Sequence, residues 1–177
     1  MTNKTMFLYK DFIETIAFAH EAHFKNPRVA SKRTRRWDGE TPYTVHPLWC
    51  AMTILSEVTL PSTLRINGAH ALMFHDIIED AELSLPAGTP EIVKHWVQEM
   101  TFENTPDEMT NVWTRSKESR LLKLYDKVSN IMDGNYMSAE NRKKYMEYTA
   151  LLLKDVEKEF GSELNIVKIA KSFVEQS

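Results

Sequence analysis

The sequence contains a single cysteine, Cys50, among 177 residues, so no disulfide within the chain and no multi-cysteine zinc site can form; a reducing compartment is expected. Glycine (5) and proline (7) are scarce, which excludes collagen-like, loop-dominated and low-complexity chains. No apolar run approaches the roughly 18–20 residues that a membrane helix needs, and Met1 to Lys10 lacks the continuous apolar core of a signal peptide. The expectation is therefore a cytoplasmic protein with no membrane partner. Neither charge sign prevails: 22 Lys plus Arg against 25 Asp plus Glu leave a net charge of −3, which argues against a protein that coats duplex nucleic acid.

What is present is an ordinary soluble composition, 42% hydrophobic and 27% charged. One domain over residues 1–177 is expected, long enough to bury roughly 70% of the surface its unfolded chain exposes. Charge is segregated along it. Residues 25–36 carry Lys25, Arg28, Lys32, Arg33, Arg35 and Arg36 with no acid, while residues 66–93 carry Asp76, Glu79, Asp80, Glu82 and Glu91 with no Lys or Arg. One segment suits anions and the other suits cations.

Apolar residues recur at helical spacing throughout, as in Phe12, Ile13 and Ile16, or Ile66, Ala69, Leu72, Met73 and Ile77, and no alternating strand pattern competes with them. The spacing predicts helices over about 7–24, 47–58, 62–80, 90–101, 117–133, 139–160 and 163–174. Residues 25–44 read as a basic loop, and the polar, mixed stretch 102–116 reads as a flexible connection. The expected fold is an all-α single domain, a bundle of about seven helices.

Within it, His75-Asp76-Ile77-Ile78-Glu79-Asp80 places four ionisable groups in six residues at the end of an apolar run. On a continuous helix His75 aligns with Glu79, and Asp76 lies near Glu79 and Asp80. Three carboxylates that close repel one another unless a cation sits among them, and acids are disfavoured at a helix C-terminus. Imidazole with carboxylate suits Mn, Fe, Ni or Zn. Two adjacent residues cannot complete such a coordination sphere. His46, opening the second helix, and Asp126, an acid inside the mostly apolar run 121–128, stand out as partners that a helical bundle can bring inward.

These residues resemble the HD-domain phosphohydrolases, whose metal set is a His, a His-Asp doublet and a later Asp. Within that superfamily the likeness is to the hydrolase domain of RelA/SpoT proteins and their small single-domain homologues. Gly39-Glu40-Thr41-Pro42-Tyr43-Thr44-Val45-His46-Pro47 is similar to the family's Gly-x-Pro-Tyr-x-x-His-Pro, with one extra residue between Gly and Pro. His75 to Asp80 matches His-Asp-x-x-Glu-Asp, and Lys123 to Asn130 resembles Lys-Leu-x-Asp-x-x-x-Asn; Ala19 to Phe24 adds a first-helix Ala-x-x-x-His segment with His23. The motif-bearing part spans about 7–135, and the helices over 139–174 lie outside it.

The resemblance implies an HD-type helical bundle and a metal-dependent nucleotide phosphohydrolase with His46, His75, Asp76 and Asp126 as metal ligands. Mn²⁺ is the first choice of ion and other transition metals remain open. A divalent ion there acidifies water for attack on phosphorus. The implied substrate is a purine nucleotide, first of all (p)ppGpp losing its 3′-pyrophosphate. Two alternatives stay open: a dNTP triphosphohydrolase or deoxynucleoside 5′-monophosphatase of the same superfamily, or a nucleotide-binding regulatory module without turnover. The resemblance also assigns Glu79 and Asp80 to proton handling, and Arg35, Arg36, Lys127 and Asn130 to the substrate. Trp37, beside the basic pair, offers a ring for purine stacking. Self-association through the last two helices is left open.

Overall fold

In the computed structural model the chain is described from residue 3 to residue 174, with side chains from residue 11 onward. Nine α-helices follow one another among the described residues: α1 (Asn3–Lys25), α2 (Val45–Leu55), α3 (Ser62–Phe74), α4 (Ile77–Asp80), α5 (Glu91–Met100), α6 (Thr105–Asn111), α7 (Lys117–Met132), α8 (Ala139–Phe160) and α9 (Asn165–Val174). The all-α expectation holds, and the count rises from seven to nine for two local reasons. The third expected helix breaks at His75: its Nδ1 donates to the Leu72 carbonyl at 2.7 Å, the acceptor that a continuing helix offers to the Asp76 amide. A turn at His75-Asp76 then separates α3 from α4. The supposed flexible connection 102–116 contains α6, started by the Asn104 side chain, which accepts from the Asp107 amide at 3.0 Å, and by Pro106 in the first turn.

α7 is the axis. Every residue from Leu121 to Ser129 is buried, although the stretch includes Lys123, Asp126 and Lys127. Its apolar positions Leu121, Leu122, Leu124 and Val128 join a core to which α1, α2, α3, α5, α8 and α9 all contribute. Full burial of each leucine contributes about 1.5–3 kcal/mol. The α2–α3–α7 junction is tight at Gly68, where a Cβ would stand 2.7 Å from Ile54 Cδ1 and 3.1 Å from Leu122 Cδ2. A side chain there would have to push the core apart. On the opposite face of α7, Lys123, Asp126, Lys127 and Asn130 line a cleft instead of the core.

The basic segment is strapped down on the rim of that cleft. The Arg28 amide donates to the Asp80 carbonyl at 2.8 Å and the Glu82 amide to the Asn26 carbonyl at 2.9 Å, so the stretch after α1 is tied to the end of α4. The Arg35 amide donates to the Thr41 carbonyl at 2.7 Å and the Tyr43 amide to the Arg33 carbonyl at 2.9 Å, closing a narrow hairpin. Its tip is held by Asp38, whose carboxylate accepts from the Glu40 and Thr41 amides, and by Gly39 at φ +72°, a conformation that costs little without a Cβ. The hairpin carries Arg35 and Arg36 to one side of the cleft and Tyr43 and His46 beneath it.

Candidate metal centre and cleft

Four side chains from three parts of the chain meet under the cleft. His46 comes from the first turn of α2, His75 and Asp76 from the α3–α4 turn, and Asp126 from the middle of α7. The two imidazole Nε2 atoms are 3.2 Å apart. Asp126 Oδ1 lies 3.3 Å from His46 Nε2 and 3.7 Å from His75 Nε2, and Asp76 Oδ2 lies 3.5 and 3.1 Å from the same atoms. One ligand atom each from His46, His75 and Asp126 falls within a common span of 4.8 Å. The turn at His75-Asp76 adds a fourth ligand atom, setting Asp76 Oδ2 against both rings.

The surrounding groups aim these atoms. A carbonyl only accepts, so His75 Nδ1 carries a hydrogen toward Leu72, and a neutral His75 ring presents a bare Nε2 to the centre. His46 Nδ1 pairs with Ser129 Oγ at 2.8 Å. Tyr43 donates its hydroxyl to Asp76 Oδ2 at 2.6 Å, and Asn130 donates to Asp126 Oδ1 at 2.6 Å. Lys123 and Lys127 approach Asp126 Oδ2 at 3.3 and 3.1 Å, and both also bind Glu108 from α6.

Two imidazoles and two carboxylates in contact require positive charge among them. Burial opposes the His75 imidazolium, but the charges of Asp76 and Asp126 outweigh it and push its pKa up to about 10. At His46 burial prevails over Asp126 and Asp76, and the pKa falls to about 4. Both Nε2 atoms and both carboxylates turn toward one point between the rings. A divalent cation at that point satisfies the same lone pairs and balances both carboxylates, so the donor set fits a borderline transition metal. Asp76 and Asp126 stay ionised: burial alone would raise both, but the His75 charge holds Asp76 well below the usual carboxylate range, and Lys127 and Lys123 do the same for Asp126.

The expected nearness of Asp76 to Glu79 and Asp80 holds across the turn, the Asp80 amide donating to the Asp76 carbonyl at 2.8 Å, but the two later carboxylates turn to other partners. Glu79 instead accepts the Phe102 amide at 2.9 Å, and Asp80 pairs with Lys32 at 2.8 Å. Both still line the cleft, and burial together with the Asp76 charge raises both pKa values. The cleft has a volume of about 880 Å³, within the range of small-molecule sites. Arg36, Lys127 and Asn130 line it as expected. Arg35 does too, but it is buried and committed: its Nε pairs with Asp133 and it donates to Asn130 Oδ1 at 3.1 Å. Trp37 does not reach the cleft. The hairpin turns it onto a separate hollow of about 270 Å³ with Trp49, Val45 and Met132. Two rings face the cleft beside the basic pair: Tyr136, 5.3 Å from the Arg36 guanidinium carbon, and Tyr43, 5.4 Å from that of Arg35.

Several site residues escaped the sequence reading. Tyr43 was read only as part of a motif, yet its pKa is pushed well up by burial and by Asp76 and Asp80, which keeps the hydroxyl a donor to Asp76. His23 packs behind it, the two rings 4.6 Å apart. Glu108 lay in the supposed connection, and the signal that would have revealed it is the helix start at Asn104-Thr105-Pro106-Asp107.

No protein-family model matches the chain, and no curated protein matches it in sequence. Its fold, however, is shared. A solved structure of a metazoan orthologue of SpoT, described as hydrolysing ppGpp and playing a role in starvation responses, superposes with a TM-score of 0.72. The match covers 93% of this chain and 94% of that one at 20% sequence identity. At that identity the likeness establishes a common helical architecture, the one expected from the motifs. Among the described residues no helix is long and apolar enough to cross a membrane.

Proposed function

We propose that this chain is a divalent-metal-dependent nucleotide phosphohydrolase that removes the 3′-pyrophosphate of (p)ppGpp, with Mn²⁺ as the resident ion. The observation that carries the reading is the convergence of His46, His75, Asp76 and Asp126 at the floor of a cleft lined by cations. The ppGpp hydrolysis ascribed to the SpoT orthologue of like fold supports the choice of substrate. When bound, a divalent ion polarises a phosphoryl oxygen and lowers the pKa of water toward neutrality.

The chain's own residues do the rest. Tyr43 and Asn130 fix the carboxylates of Asp76 and Asp126, so that the ligand atoms need no rearrangement. Glu79 and Asp80, with pKa values raised by burial and by Asp76 beside the reacting end, suit the holding and passing of a proton. Arg35 positions Asn130, since its charge is already matched by Asp133. Arg36, exposed above Tyr136, meets substrate phosphate, and Tyr136 offers the stacking ring once assigned to Trp37.

The test is a panel assay of purified protein with Mn²⁺ against ppGpp, dATP, dGTP and dAMP, with products resolved by chromatography. Pyrophosphate released from ppGpp is expected. Tripolyphosphate from a dNTP, orthophosphate from dAMP, or tight binding without any product overturns the reading in favour of the corresponding alternative.

A further inference from the structure

Most cations of the cleft are matched by an acid. Lys32 meets Asp80, Arg35 meets Asp133, and Lys123 and Lys127 share Glu108 and Asp126. Arg115, in the connection between α6 and α7, lines the same cleft in a different state. Its guanidinium carbon lies 5.1 Å from the centre of the Phe102 ring, and its Nε is buried with no hydrogen-bond partner. A guanidinium offers five N–H donors in a rigid planar fork and keeps its charge, so a buried donor without an acceptor is unfavourable until an anion completes it. Stacking on Phe102 fixes the plane of that fork in advance.

Phe102 and Lys123 link it to the metal centre. Lys123 Nζ lies 5.4 Å from the centre of the same Phe102 ring and 3.3 Å from Asp126 Oδ2. The Phe102 amide in turn holds Glu79. Arg115 therefore flanks the reacting end of the cleft, on the side of Glu79, whereas Arg36 and Tyr136 belong to the hairpin side. Cations brought in by two separate segments suit a ligand with anionic groups at two places.

We propose that Arg115 is a substrate-binding residue that grips the pyrophosphoryl group to be removed. The identity of that group rests on the hydrolase reading; the affinity for a diphosphate anion does not.

The test is titration calorimetry of inorganic pyrophosphate into the full chain loaded with Mn²⁺, comparing wild type with Arg115→Gln and Arg115→Lys and checking the fold of each by thermal melting. Wild type is expected to bind. Arg115→Gln is expected to bind at least tenfold more weakly, and Arg115→Lys, which keeps the charge but loses the fork, to fall between them. Mn²⁺ affinity is expected to be equal in all three. With ppGpp as substrate, Arg115→Gln is expected to raise KM far more than it lowers kcat. Pyrophosphate affinity in Arg115→Gln within twofold of wild type, or no binding by wild type, overturns the proposal. If Arg115→Gln melts early, Arg115→Lys decides, a threefold loss being expected and no loss overturning it. Pyrophosphate binding that depends on Arg115 in a protein that leaves ppGpp intact would retain the anion site and remove the hydrolase reading. Cleavage of ppGpp with pyrophosphate affinity indifferent to Arg115 would do the reverse.

Discussion

Tyr125 and Asp126 are neighbours on α7, and they take part in two buried carboxylate clusters of opposite character. Tyr125 donates to Glu57, a buried acid just after α2, at 3.0 Å. The same carboxylate accepts the Asn165 and Ile166 amides at 2.8 and 2.9 Å, at the start of α9. Three donors and the positive end of a helix satisfy it, and it needs no cation. Asp126 has donors too, Asn130 on Oδ1 and Lys123 and Lys127 on Oδ2, but its Oδ1 and the Asp76 Oδ2 also face two imidazole Nε2 atoms at 3.1–3.7 Å, so acceptor groups from three parts of the chain converge on one point. A satisfied buried acid locks helices together. An acid whose oxygen also faces imidazole nitrogens and a second carboxylate is poised for a cation.

The largest effect expected from this contrast is at Asp126. Asp126→Asn keeps the shape and removes the charge that a divalent ion needs, so Mn²⁺ affinity should collapse and turnover of ppGpp should fall by roughly 10³-fold or more. The melting temperature should change little, because Lys123 and Lys127 keep Glu108 as a partner. Calorimetry with Mn²⁺, a product assay and a melt measure the three quantities. Retained turnover would show that this cluster is structural, like the one at Glu57.

Glu57→Gln should do the opposite. A Gln has one acceptor oxygen for three donors and sets its own NH₂ against an amide hydrogen, so about 2–3 kcal/mol of stability should be lost. Mn²⁺ binding and kcat should stay at wild-type values below the lowered melting transition. Urea unfolding at constant m-value reads the loss. A variant as stable as wild type would mean that Glu57 is not what holds α9 to the end of α2.

The two clusters also differ in how visible they are in the sequence. Asp126 is legible as an acid inside an apolar helix and His75-Asp76 as charge at the end of an apolar run, both expensive placements, and the ordered motif resemblance joins His46, at the start of a helix, to them. Glu57 gave no such sign: its partners are backbone amides 108 and 109 residues away, set by how α9 docks, and no local pattern encodes that. The kink at His75 was hidden for a similar reason, since a side chain taking a helix carbonyl leaves the helical period intact. Glu108 was missed because α6 is short and polar, although its start signal was present. The basic neighbours of Trp37 in sequence suggest the cleft, but Arg36 and Trp37 lie in the turn of the hairpin, which sends Arg36 to the cleft and Trp37 to the separate hollow, and no local pattern encodes that direction.

A third carboxylate sharpens the comparison because it repeats the Glu57 arrangement nearer to solvent. Glu99, at the end of α5, accepts from the Ser116 amide at 3.2 Å, from the Ser119 hydroxyl at 2.7 Å and from the Ser116 hydroxyl, at the start of α7. Burial works against its ionisation, but these hydrogen bonds outweigh it and hold its pKa below the ordinary value. A carboxyl depressed in the folded state adds stability above its unfolded pKa of about 4.3, and that stability is lost as pH falls through the folded value. Glu99 is partly exposed, so Glu99→Gln should cost only about 1 kcal/mol at pH 7. The gap between wild-type and variant melting temperatures should then close as pH is lowered from the ordinary carboxylate range through the depressed folded value, below which both side chains are neutral. A gap independent of pH would assign the loss to altered hydrogen-bond geometry instead of charge, and would separate Glu99 from the class of acid that Glu57 represents.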